Sequence, residues 1–150
     1  MPKAGDIIFS TDDMPWSVAI RAHSNSPVSH VGMFINRTRI ISARAEGVIT
    51  DTIEAWMPQY WIFRMKATSG QLLAMMSFIA AQIGAGYDYL ALTNFLTNRD
   101  LHDPNKWFCS ELVTAAILAA GIPIFGGRRL PAFTSPGDLY SNPLLVKVDE

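Results

Sequence analysis

Residues 29–36, Ser29-His30-Val31-Gly32-Met33-Phe34-Ile35-Asn36, alternate between two faces, with His30, Gly32 and Phe34 on one and Val31, Met33 and Ile35 on the other. A period of two is the mark of a strand, and this strand opens on a histidine. Upstream, residues 24–27 (SNSP) break the chain, residues 16–22 fit a turn of helix, and residues 5–10 (GDIIFS) read as a short β-branched strand leading into a polar loop through Thr11, Asp12 and Asp13. Downstream, Asn36-Arg37-Thr38 is a turn and residues 39–44 (RIISAR) return as a second strand, in which Ile40 and Ser42 share a face. Such a hairpin brings Ser42 near His30.

Working outward, residues 47–50 extend the sheet, residues 52–57 form a helical turn, and residues 60–66 (YWIFRMK) have strand composition. Ser69 is the expected N-cap of a helix over 71–83, whose apolar stripe of Leu72, Met75, Met76, Ile79 and Ile83 recurs at helical spacing. Gly84-Ala85-Gly86 stops it, and Tyr87-Asp88-Tyr89 opens a less regular stretch that runs to Asn105. A third helix is predicted from Cys109, or a residue just before it, through Ala120, with Gly121 at its C-terminal end and Pro123 beyond. An edge strand over 144–148 closes the chain. With no repeat, low-complexity segment or linker, residues 1–150 are expected to form one domain of the α+β class.

Hydrophobic residues make up 49% of the sequence and charged ones 17%, which excludes a disordered chain. The net charge is −1 and the basic residues are scattered (Arg21, Arg37, Arg39, Arg44, Lys66, Arg128, Arg129), so no stripe exists for phosphates and nucleic acid is not an expected partner. The apolar runs 72–83 and 112–125 fall short of the roughly 20 residues of a membrane span. The start of the sequence has neither a signal-peptide core nor a transit pattern, so the mature chain is expected to begin here, with the cytoplasm as the default compartment. Cys109 is the sole cysteine, which excludes an internal disulfide and multi-thiolate zinc cages. Metal binding through His23, His30 and Cys109 lacks any recognised ligand spacing, and no cofactor is expected.

Cys109 falls at the head of its helix in residues 106–113 (KWFCSELV), where unpaired amides and the helix dipole favour negative charge. That placement is expected to lower the thiol's pKa, expose the sulfur and steady an oxyanion. The plainer alternative is a small buried hydrophobe. His30 is the natural general base, because His23 and His102 fall in loops and a strand holds an imidazole more firmly. A structural histidine is its alternative.

The ordered pieces GDIIFS (5–10), SPVSHVGMFI (26–35), ISARAEGV (41–48), YDYLAL (87–92), WFCSELV (107–113) and TSPGDLY (134–140) resemble the permuted NlpC/P60 cysteine hydrolases, particularly the YiiX- and YebB-like group. In ordinary NlpC/P60 enzymes the cysteine helix precedes the histidine strand; here the histidine comes first, as in the permuted branch. The resemblance implies a papain-like fold, an antiparallel sheet packed against helices, with Cys109 as nucleophile and His30 as base. The residue that orients the imidazole would map to Ser42, where a hydroxyl stands in place of the usual Glu, His or Gln. Glu46 on a continued strand, a water or a backbone carbonyl are the alternatives. Tyr87 resembles a family tyrosine beside the nucleophile that helps bind the oxyanion, or else it simply packs; Glu111 is read as structural. The expected activity is hydrolysis or acyl transfer at an amide or ester bond of a peptide or acyl-containing substrate through a thioester. The rival is a catalytically silent binding module of the same fold.

Overall fold

The computed structural model describes residues 1–12, 14–87, 106–126, 131 and 134–148. Asp13, residues 88–105 with His102, and Arg128 and Arg129 lie outside the described residues.

The β-branched run after Gly5 forms β1 (Ile7–Ser10), and α1 (Pro15–Ser24) follows with proline in its first turn. The histidine strand is β2 (His30–Phe34), succeeded by β3 (Ile40–Arg44), β4 (Gly47–Asp51), a 3-10 turn (Ile53–Trp56) and β5 (Tyr60–Met65). Helix α2 (Ser69–Ala81) leads to β6 (Gly86–Tyr87), which pairs in parallel with β7 (Lys106–Trp107). Helix α3 (Cys109–Ala119), α4 (Pro136–Tyr140) and β8 (Leu145–Lys147) complete the order. The main sheet runs β4-β3-β2-β1-β5-β8, every neighbour antiparallel. The α+β, papain-like expectation thus matches the architecture.

Sequence parity decides which side of the sheet each residue covers. Ile7, Phe9, Val31, Met33, Ile41, Ala43, Phe63 and Met65 point into the larger core, where they meet Met75 and Ile79 of α2 and Leu112, Val113 and Ala116 of α3. Ile8, Phe34, Ile40 and Ile62 point the other way and gather around Trp56. Each side chain buried in these clusters is worth roughly 1.5–3 kcal/mol relative to exposure. Both faces of the central strands are therefore covered, and α3 is held across β2 and β3.

Two sequence expectations need correction. The N-cap of α2 is Thr68, not Ser69: its Oγ1 accepts the Gln71 N–H at 3.1 Å while Gln71 Oε1 accepts the Thr68 N–H at 2.9 Å. That reciprocal box outcompetes a serine one residue later, which has no glutamine three places on. The helix also ends before Ile83, which is 48% exposed and not part of the buried stripe.

The hairpin between β3 and β4 turns through Ala45 and Glu46, with Arg44 opposite Gly47. Gly47 has φ +110°, and a Cβ there would lie 2.5 Å from the Ala85 carbonyl oxygen. The close approach lets Val48 N–H reach Ala85 O at 2.9 Å and Gly84 N–H reach Val48 O at 2.9 Å, tying the end of α2 to the sheet edge. Gly121 also has positive φ (+76°) but open space around it. Gly121→Ala is expected to cost only the left-handed conformation, about 1–2 kcal/mol. Gly47→Ala should cost clearly more, since a backbone carbonyl must also move. Denaturant unfolding of both variants checks this; equal losses would contradict it.

Candidate active site

The first turn of α3 is built to leave amides available. Its N-cap, Phe108, is extended and makes no side-chain capping bond, while Glu111 reaches back so that its Oε1 accepts the Phe108 N–H at 3.3 Å. Ser110 Oγ donates to Thr134 O and fixes the helix start to the segment before α4. The backbone amides of Val31, Ser110 and Cys109 itself lie near the Cys109 sulfur and pull its pKa down.

The Val31 amide is free for this because of strand pairing. Phe34 N–H bonds to Asp6 O across β1, so the even-numbered amides of β2 face β1 and that of Val31 faces β3. Yet β2 and β3 pair only at Met33↔Ile41 and Phe34↔Ile40. The ladder has opened by Val31, which leaves its amide on the side of the Cys109 sulfur. Cys109 is thereby brought against the residue that follows His30.

His30 opens the same strand with its ring toward the other face of the sheet, and no hydrogen bond joins the imidazole to the sulfur. Parity sets its ring with Gly32 and Phe34, and it stacks on Trp56 at 4.6 Å between centroids with 23° between planes. Its Nε2 is buried and without a hydrogen-bond partner among the described residues, and so is the Oγ of fully buried Ser42 on the same face. The hairpin thus carries Ser42 to the histidine's side of the sheet without a hydrogen bond between them. Glu46 does not lie on a continued strand: the chain turns there, and the side chain is exposed. Tyr87 is half-buried, its ring edge-on to Phe108 at 5.8 Å, one residue from the sulfur. Glu111, as expected, serves the helix start.

Several residues of the site carry no signal in the sequence. Arg44 Nε donates to Asp51 Oδ2 at 2.9 Å, Trp56 Nε1 donates to Asp51 Oδ1 at 2.8 Å, and the Arg44 guanidinium carbon lies 4.8 Å from the Trp56 ring centroid. A tryptophan on a short 3-10 turn reads from sequence as core, and only the register of β3 and β4 reveals that it faces the histidine.

The electrostatics correct a further expectation. The helix head was expected to depress the thiol's pKa and expose its sulfur; instead Cys109 is 1% exposed, and burial pushes the thiol from 9.0 up to about 12, outweighing the amides and the Arg44 charge, which pull it down. Burial, then the positive charge of Arg44, takes His30 from 6.5 down to about 3. Both groups therefore rest neutral. His23, expected in a loop, is on the exposed last turn of α1, and among the described residues no group of three or more His, Cys, Asp or Glu is placed to hold a metal ion. None of the described helices is long and apolar enough to cross a membrane.

These shifts set the pH dependence of stability. Between pH 6.5 and 3 the unfolded chain protonates His30 and the folded chain does not, so stability falls on acidification by up to about 1.4 kcal/mol per pH unit. Above pH 9 the unfolded thiol ionises while the buried one stays protonated to about 12, so stability falls again on that side. His30→Gln should remove the acid component between pH 6.5 and 4.5, and Cys109→Ser the alkaline one. Denaturant midpoints across pH measure both; unchanged slopes in the variants would contradict the assignment.

Residues 1–132 match the protein-family model described as permuted papain-like amidase enzyme, YaeF/YiiX, C92 family. Among curated proteins, the Escherichia coli (strain K12) protein named "Probable lipoprotein peptidase YaeF" is 26% identical over 172 residues, covering 91% of this chain. The chain spans about 62% of that relative's length. Among solved structures, the one titled crystal structure of metalloprotein yiiX from Escherichia coli O157:H7 superimposes with a TM-score of 0.71, covering 99% of this chain and 97% of that one. At 19% identity this likeness bears on the fold alone.

Proposed function

Because the chain belongs to the permuted papain-like amidase family, YaeF/YiiX, C92, we propose that it is a cysteine-type hydrolase with Cys109 as its nucleophile and His30 as its general base. The observation that carries this reading is the placement of Cys109 at the head of α3, packed against the histidine strand with the amides of Val31, Ser110 and Cys109 nearby. The imidazole takes the thiol proton as the sulfur attacks a carbonyl carbon. The same amides stabilise the oxyanion, with Tyr87 as an additional donor near Phe108. The proton passes to the leaving amine or alcohol, a thioester remains, and water activated by His30 releases the acid and restores the thiol. Residues 1–150 act as one catalytic domain. Ser42 is the candidate third member on the histidine's face; Glu46, exposed in its turn, suits the substrate side.

Burial leads both shifts, so the thiol and the imidazole rest neutral and the proton moves as the sulfur attacks. The family description favours an amide as the scissile bond, and the relative's name points to a peptide or lipoprotein amide; cell-wall peptides and lipid esters are the wider class. A silent binding module is the second reading, favoured by the neutral, sealed resting pair.

Intact-mass analysis with p-nitrophenyl acetate tests the choice. The hydrolase should acquire one acetyl group on Cys109 and release nitrophenol. Cys109→Ala should abolish the adduct, and His30→Gln should slow it by about 10²–10⁴-fold. Release no faster than from Cys109→Ala, without an adduct, would leave the binding module.

A further inference from the structure

The imidazole of His30 has no hydrogen-bonded orienting partner on its buried nitrogen, yet a general base must present one lone pair in one direction. The second side-chain torsion of histidine is broad and does not fix the ring plane by itself. Something else has to hold it.

The held surface is the indole of Trp56, 2% exposed and stacked on the imidazole at 4.6 Å. Two independent features fix that indole. Gly32 makes room for it: a Cβ there would lie 2.8 Å from both Cη2 and Cζ2 of Trp56 and 3.0 Å from Ile40 Cγ2, so any other residue would displace the ring. Asp51 anchors its edge, accepting the indole N–H on one oxygen and the Arg44 guanidinium on the other, while Arg44 also lies over the indole. Asp51 and Trp56 come from the end of β4 and the turn directly after it, and Arg44 from the end of β3, so one hairpin supplies the whole clamp.

We propose that Trp56, fixed by Asp51 and Arg44 and admitted by Gly32, is the positioning residue that sets the plane of the His30 imidazole by aromatic stacking, a role distinct from the hydrogen bond a third member at Ser42 would supply. This rests on the reading of His30 as the base for Cys109. The groups around the imidazole are Ser10 opposite it on β1, Ser42 and Arg44 on β3, Asp51 on β4 and Trp56. Arg44 and Asp51 are paired with each other and neither Ser10 nor Ser42 hydrogen-bonds to the ring, which leaves the indole face as the contact that sets the ring plane.

The test combines NMR of His30, assigned with His30→Gln, and the pH profile of p-nitrophenyl acetate acylation in the full chain. The wild-type imidazole protons should be shifted upfield by the indole. Trp56→Leu should abolish that shift and slow acylation by about tenfold to a hundredfold with a displaced pH profile, and Trp56→Phe should restore most of both. Asp51→Asn, which keeps the indole but weakens its anchor, should give a smaller change in the same direction and serves where Trp56→Leu does not fold. Imidazole shifts and pH profile unmoved in the folded variants would overturn the proposal, as would Trp56→Phe as impaired as Trp56→Leu. Acylation retained in His30→Gln would instead sink the underlying assignment of the base, while the NMR shift would still report the stack.

Discussion

One opening in the sheet, at Val31, governs the arrangement. In an unbroken ladder its amide would bond to β3. Because β2 and β3 part there, the amide is left beside the sulfur at the head of α3. The larger core makes the opening tolerable: Val31 and Ala43 on either side of it pack against α3, so the apolar contacts of the two strands continue where their hydrogen bonds stop.

The same packing holds both the thiol and the imidazole neutral. A close-packed helix and sheet exclude water from the sulfur, and exclusion of water costs a thiolate more than three amides and a nearby guanidinium return. On the opposite face, the indole that aligns the imidazole also desolvates it. Alignment and suppression come from one set of contacts, so the site gains geometry at the expense of resting reactivity. A protected neutral thiol also resists adventitious oxidation, which follows thiolate character and exposure.

Much of the fold was legible because parity and caps are local. The alternation in SHVGMFIN, the turn after Asn36 and the helix from Cys109 closed by Gly121 all emerged where the pattern put them. Thr68 displaced Ser69 as a cap because a reciprocal side chain, Gln71, decided between neighbours. The chemistry of the site was less legible, since it depends on burial. A helix head lowers a thiol's pKa only if water or charge shares the site, and nothing in KWFCSELV says how deeply α3 is seated. Trp56, Asp51 and Arg44 were illegible as a group, because their meeting is a product of the β3–β4 register and of a missing side chain at Gly32.

The histidine-first order has a consequence for biosynthesis. Five of the six strands of the main sheet, β1 to β5, lie within the first 65 residues, most of them paired with their neighbours in sequence. Such short-range pairings close quickly, and domains fold from the N-terminus as the ribosome delivers them. The imidazole and its aromatic bed are thus encoded and emerge well before the sulfur does. The reactive atom enters last, onto a partner surface already translated, and the nascent chain is spared a long wait with a naked thiol.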